Sequence, residues 1–306
     1  MPFPSAEAAS IARAHDRDMT TPAVALLGTG TMGSAMARSM RRAGLPVRAW
    51  NRTRSKAEPL RDVGVVVTDS PTEAAQGADI VMTMLFDIAP VVDAIRQAAP
   101  APGTLWLQTS TVGINDVQTA AEVAEELGVV LVDSPVLGTR QPAENGELVV
   151  LASGPDDARE KAAPVFDAIG GRTLWVGAVG QGTRLKMVAN AWVLSLTSAI
   201  AQSVALAEGL GLEPQSFLDA IAGGATDTPY AHVKGPAMIR HEYPVAFALA
   251  AALKDAGLIL EALRDAGVPD VLGAAVHRIL SAAAERVDPA AVDLAAAVEA
   301  LRPPRG

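Results

Sequence analysis

Lys186 and Asn190 stand four residues apart, so any helix that carries them presents both on one face. The run that follows, from Met187 to Ala207, contains no charged residue. An ammonium at the mouth of so apolar a helix lies close to protein interior. Burial disfavours the charged form, which brings a lysine pKa down toward neutrality, where the group can give and take a proton. Asn190 can orient that lysine or hydrogen-bond a substrate oxygen. The residues alone leave a second reading open: a surface lysine whose stem lies along the helix while its head reaches water.

A second chemical element lies near the start. Gly28, Thr29, Gly30, Thr31, Met32 and Gly33 spell G-x-G-x-x-G between an apolar strand pattern and a helical one. In that context the spacing reads as a dinucleotide-binding turn. Gly28 permits the tight turn, Gly30 lets backbone approach a pyrophosphate, and Gly33 lets helix and strand pack closely. The helix N-terminus then offers unpaired N–H groups to the anion. About twenty residues on, an NAD site needs a carboxylate for the ribose 2′-hydroxyl. This chain has Asn51, Arg52, Thr53 and Arg54 instead. Arg52 can pair bidentately with a 2′-phosphate, with Asn51 and Thr53 as neutral donors, so the expected cofactor is NADP. Leu85 and Phe86, and then Ser110 and Thr111, follow later strands and belong to the same crevice. The Ser110 and Thr111 hydroxyls suit a nicotinamide or a substrate, or equally a helix cap.

These residues need a scaffold, and the chain supplies a rhythm. Apolar strand patterns at 24–27, 47–50, 65–67, 80–84, 105–108 and 129–132 alternate with helical segments. One helix is expected from 35 to 43, a second capped by Thr53 or Ser55, a third opened by Ser70 and Pro71. Two further strands, 148–152 and 173–176, flank a helix starting at Pro155. After Gly182 no strand pattern follows, and helices are expected near 214–222, 244–266, 270–284 and 289–301. The fold class is therefore an α/β Rossmann-type domain with a mostly parallel sheet, followed by an all-α domain joined through a long interdomain helix. The expected divisions are a flexible extension over 1–20, an NADP-binding domain over 21–180 and an all-helical domain over 181–306.

Composition sets limits. The 306 residues carry a net charge of -9, are 50% hydrophobic yet only 4% aromatic, and include no cysteine. That excludes disulfides, thiol nucleophiles and Cys–zinc sites, and argues against binding nucleic acid through its phosphates. His15, His232, His241 and His277 lack metal-ligand spacing, so no metal is expected. His232 and Tyr230 fall in a Gly/Pro-rich stretch that reads as a loop. The chargeless run is long enough to span a bilayer, but its Asn190, Ser195, Thr197, Ser198, Gln202 and Ser203 favour a helix buried by protein. A soluble, cytoplasmic enzyme without a membrane partner is expected.

Four ordered blocks resemble the β-hydroxyacid dehydrogenase family, which includes 3-hydroxyisobutyrate dehydrogenases and glyoxylate/succinic semialdehyde reductases. They are Gly28 to Ala37 (GTGTMGSAMA) with Asn51 to Thr53 after it, Asp133 to Thr139 (DSPVLGT) continued by PAENGEL to Leu148, Gly180 to Lys186 (GQGTRLK), and Lys254 and Asp255 within LKDAGL. The resemblance implies that Lys186 is the catalytic lysine, with Asn190 beside it in the substrate site. It places Lys254 and Asp255 at the nicotinamide end of the cleft; on their own they read as an exposed pair. It makes Leu137, Gly138 and Thr139 the loop that cradles a substrate carboxylate. Here the chain departs, with Leu137 where the family usually has serine. That leaves the Gly138 and Thr139 N–H groups, the Thr139 hydroxyl and Arg140 as replacements. The resemblance further implies a homodimer through the helical half. Imine reductases share the architecture but commonly lack the lysine. A non-catalytic dinucleotide-binding protein is the remaining alternative. 6-Phosphogluconate dehydrogenases have a much longer helical part.

Overall fold

The structure is a computed structural model and describes residues 21–302; the extension expected over 1–20 lies outside them. Six strands form a parallel sheet in the order β3-β2-β1-β4-β5-β6. They are β1 (Val24–Leu27), β2 (Val47–Trp50), β3 (Val66–Val67), β4 (Ile80–Thr83), β5 (Leu105–Gln108) and β6 (Val130–Asp133). β1, β4 and β5 are buried along their whole length, as strands covered on both faces must be. Alternation divides them between two cores. Val24 and Leu26 pack with Met36, Met82 and Phe166 on one face. Ala25 and Leu27 pack with Val81, Trp106 and Val123 on the other.

Chain order reverses between β1 and β4, its two neighbours in the sheet centre. The crevice beyond the carboxyl ends of such strands is where ligands bind in open α/β sheets. Strands at 148–152 and 170–175, β8 (Leu148–Ala152) and β9 (Gly170–Trp175), do not extend this sheet. With β7 (Val136–Leu137) they form a separate three-stranded sheet. β7 has two residues, too short for a periodic pattern to reveal.

The helix Gln181–Gly209 runs from this α/β half into a helical one. Its buried positions, among them Lys186, Asn190, Leu194, Thr197, Ala201 and Val204, recur at helical spacing and form one face. It is the one described helix long and apolar enough to cross a membrane, and that face packs on the helical core instead. Gly211, at φ 73°, closes it: the Gly211 N–H bonds the Glu208 carbonyl and the Leu212 N–H that of Ala207.

Several element boundaries differ from expectation. The first helix begins at Thr31, not at residue 35, because its first turn is built from the glycine motif. After β2 there are only the short 3₁₀ turns Arg54–Lys56 and Glu58–Val63, separated at Ala57 and ended by a left-handed Gly64; Thr53 sits at an N-cap without capping. Ser70 does cap its helix, accepting from the Glu73 N–H. The stretch holding Tyr230 and His232 is a helix, Pro229–Arg240, capped by Thr228. Its internal Gly235 and Pro236 disguise it; Gly235 is there because a Cβ would lie 2.8 Å from Leu218. The helix expected from residue 244 starts at Leu249, since Asp293 takes the N–H groups of Ala246 and Phe247. The expected 289–301 helix is a 3₁₀ helix, Leu294–Ala300.

Candidate active site

The three motif glycines have three different surroundings. Gly28 turns at φ 107°, and a Cβ there would lie 2.2 Å from the Met84 carbonyl oxygen at the end of β4. On Gly33 a Cβ would fall 2.0 Å from the Gly28 oxygen, so helix and strand touch through it. At Gly30 a Cβ would meet nothing within 4 Å. Gly30 is also the N-cap of Thr31–Arg42 and provides no side-chain cap. First-turn N–H groups without intrahelical partners therefore face an open cradle, which fits a pyrophosphate.

Asn51 locks this turn to the end of β2. Its Oδ1 accepts from the Thr29 N–H at 3.0 Å and its Nδ2 donates to the Thr53 carbonyl at 2.9 Å. Asn51 is thus a brace, with one amide hydrogen left. The two nearby arginines differ. Arg54 is paired with Glu58 and with Asp69. Arg52 is exposed and, among the described residues, has no hydrogen-bond or ionic partner. The unneutralised guanidinium is the one placed directly after β2.

Ser110 does not face the crevice. It is fully buried, and its Oγ accepts from the Leu85 N–H at 2.9 Å, tying the end of β5 to the turn after β4. Neither Ser110 nor Thr111 caps the next helix, Ile114–Leu127; Gly113 holds that position, its N–H bound by Asp116. Leu85, Phe86 and Thr111 are all at least partly exposed.

Lys254 and Asp255, on the helix Leu249–Asp265, are not an exposed pair. Lys254 Nζ donates to the Phe86 carbonyl at 2.9 Å and the Thr111 carbonyl at 2.5 Å, and lies 2.9 Å from Asp255 Oδ1. Lys254 thus donates to two backbone carbonyls and pairs ionically with Asp255, fastening the helical half to the carboxyl ends of β4 and β5. Asp255, 3% exposed, accepts from Asn190 Nδ2 at 2.7 Å through its other oxygen.

Lys186 is 8% exposed and donates to the Val136 carbonyl at 2.7 Å. Burial lowers its pKa to about 8; Asp255 opposes the shift and Lys254 adds to it. The surface-lysine reading does not survive this burial. Leu137, expected in a loop with Gly138 and Thr139, instead ends β7 beside Val136, and the turn proper begins at Gly138. Leu137 is half-buried, Gly138 turns at φ 123°, and the Thr139 hydroxyl caps nothing. Arg140, open to a role with substrate, is instead paired with Glu144 at 2.9 Å.

The sequence motifs left Asp133 and Ser153 without a role. Both are fully buried and grip the start of the long helix. Their partners lie tens of residues away, so no local spacing exposes them. Among the described residues no cluster suits a metal ion.

A phosphate cradle at a switch point, together with a buried lysine whose pKa is lowered to about 8, defines a nicotinamide-dinucleotide oxidoreductase. Comparison with known proteins narrows the class. Residues 23–177 match the NAD binding domain of 6-phosphogluconate dehydrogenase, and residues 180–301 the family described as NAD-binding of NADP-dependent 3-hydroxyisobutyrate dehydrogenase. The chain belongs to the β-hydroxyacid dehydrogenase family. It is 31% identical over 290 residues to glyoxylate/succinic semialdehyde reductase 2, chloroplastic, of Arabidopsis thaliana, covering 93% of this chain and 81% of the relative. With reductase 1 of the same plant it shares 32% over 289 residues, 91% and 98% of the two chains. The structure of 3-hydroxyisobutyrate dehydrogenase from Mycobacterium tuberculosis with L-serine superposes with a TM-score of 0.81 at 29% identity, covering 93% and 100%. An imine reductase from a Pseudomonas species aligns at TM-score 0.63 and 21% identity, over 92% and 100% of the chains, a likeness of fold alone.

Proposed function

We propose that this oxidoreductase is NADPH-dependent and interconverts a small β-hydroxyacid with its aldehyde or semialdehyde, using Lys186 as acid and base. One observation carries the reading: a buried Lys186 with pKa about 8, one helical turn from an Asn190 that Asp255 holds in place. The bound nicotinamide supplies or accepts the hydride. In reduction, negative charge develops on the substrate oxygen and Lys186 Nζ donates a proton to it. In oxidation the neutral amine removes that proton. Asn190 keeps one amide hydrogen after bonding Asp255 and directs it at the same oxygen. Arg52 and the first turn of Thr31–Arg42 hold the phosphates. The Gly138 and Thr139 N–H groups and the Thr139 hydroxyl anchor a substrate carboxylate, and Leu137 presents an aliphatic wall.

The test is NADPH oxidation with glyoxylate, succinic semialdehyde and a cyclic imine. Turnover of an aldehyde supports the proposal. Turnover of the imine alone would make the chain an imine reductase. Tight NADPH binding with no turnover would make it a non-catalytic binding protein.

The lysine also sets a pH dependence. Reduction needs the ammonium, so kcat/KM for an aldehyde should fall as pH rises through about 8. Oxidation of the alcohol needs the amine and should rise through the same midpoint. Steady-state rates in both directions over pH 6–10, about two units either side of that midpoint, check it; parallel profiles would contradict the role.

The outer face of the long helix carries Val188, Trp192 and Leu206, with Leu210 at its C-cap, each more than half exposed and on one side. We assign this face to a homodimer, since large apolar side chains exposed along one helix face mark an interaction surface. Light scattering should give twice the 31.4 kDa chain mass; a monomer would contradict it.

A further inference from the structure

Asp133 is a buried carboxylate that the proton step above does not use. It ends β6, is fully buried, and turns both oxygens toward the first turn of Gln181–Gly209. Oδ1 accepts from Thr183 Oγ at 2.7 Å and Oδ2 from the Thr183 N–H at 2.8 Å. Ser153 Oγ donates to Oδ2 at 3.2 Å and accepts from the Gly182 N–H at 2.9 Å. The helix has no cap of its own: Gly180 stands at the N-cap, and its first turn holds no acidic residue. Two orphan N–H groups are therefore satisfied from another part of the chain. The seat is tight. A Cβ on Gly182 would lie 2.3 Å from the Leu151 carbonyl oxygen and 2.9 Å from that of Asp133.

The contacts form two rungs. Asp133 holds Thr183, and three residues later on both segments the Val136 carbonyl holds Lys186. One short piece of chain thus fixes both the start of the helix and the head of its lysine. We propose that Asp133 is a positioning residue for Lys186: by capping the long helix from β6 it holds the lysine head at the Val136 carbonyl, out of water. This rests on the reading of Lys186 as acid and base.

The charged groups facing Lys186 are Asp255 and Lys254, both on Leu249–Asp265, and neither changes when Asp133 is altered. Loosening the cap acts through solvent. Water reaching Nζ relieves the burial that lowers its pKa, and the kinetic midpoint moves up. A cap that served stability alone would leave that midpoint in place.

The experiment compares full-length wild type, Asp133→Asn and Thr183→Val in NADPH-dependent aldehyde reduction. Asp133→Asn keeps the volume but removes the charge and one acceptor. It should lower kcat by about 10- to 100-fold, the cost of a small misplacement of a reacting group. The NADPH KM should stay within about twofold, because the phosphate cradle lies in the turn after β1 and the helix that follows it. The midpoint of kcat/KM should rise by about half a pH unit or more. Thr183→Val removes the hydroxyl donor alone and should shift the midpoint in the same direction by less. An unchanged midpoint in folded Asp133→Asn overturns the proposal. Should that variant fail to fold, an unchanged midpoint in Thr183→Val overturns it equally. A wild-type enzyme that shows no group titrating near 8 overturns the Lys186 reading itself, and is a distinct result.

Discussion

Replacing Lys186 with alanine is expected to lower turnover by about 10²–10⁴-fold, the usual contribution of a positioned general acid. NADPH affinity, read by quenching or enhancement of its fluorescence, is expected to hold. The two readouts separate because the two structures are separate. The cradle is built from Gly28 to Gly33, in the turn after β1 and the following helix, whereas Lys186 sits on a different helix and contacts Val136. Stability should change little. The substitution removes an ammonium that burial disfavours, which offsets the packing lost with its stem. Alanine also leaves the Asn190–Asp255 bond intact, so the donor proposed for the substrate oxygen stays in place. Residual activity should therefore exceed that of Lys186→Ala combined with Asn190→Ala. Full turnover in the single variant would remove Lys186 from the mechanism.

The sequence reveals the parts of this protein that depend on neighbours in the chain. Strand burial and the glycine spacing are local, and β1, β4 and β5 lie where their apolar runs put them. A long helix after Gly182 follows from a charge-free run, and the four-residue spacing of Lys186 and Asn190 already places them on one face. Contacts between distant segments are not local. Asn190 meets Asp255 65 residues on, and Asp133 meets Thr183 50 residues on. Nothing at either end of these pairs announces its partner. Ser110 is the opposite case. Its position after a strand suggests a ligand-facing hydroxyl, but the turn after β4 needs an acceptor for the Leu85 N–H, and that need turns it inward. Glycine and proline mislead in the same way. Gly235 and Pro236 break a helix pattern on paper, while in the fold Gly235 simply makes room for Leu218.

Arg52→Ala is expected to raise the NADPH KM by about 10- to 100-fold, the equivalent of losing a charge-assisted pair of about 1.5–3 kcal/mol. The NADH KM should move far less, because NADH carries no 2′-phosphate for the guanidinium to meet. Arg54→Ala is the internal control. Arg54 already neutralises Glu58 and Asp69, so its removal takes little from the cofactor. Arg52 has no such partner among the described residues, and a free guanidinium directly after β2 is where a 2′-substituent is read in this fold. Salt gives a second check. The pair is exposed, so raising ionic strength should weaken NADPH binding to the wild type and have little effect on Arg52→Ala. Equal rises in both KM values would mean that Arg52 shapes the turn rather than reads the phosphate. Asn51 would then be the residue to pursue, since its side chain already braces Thr29 and Thr53 there.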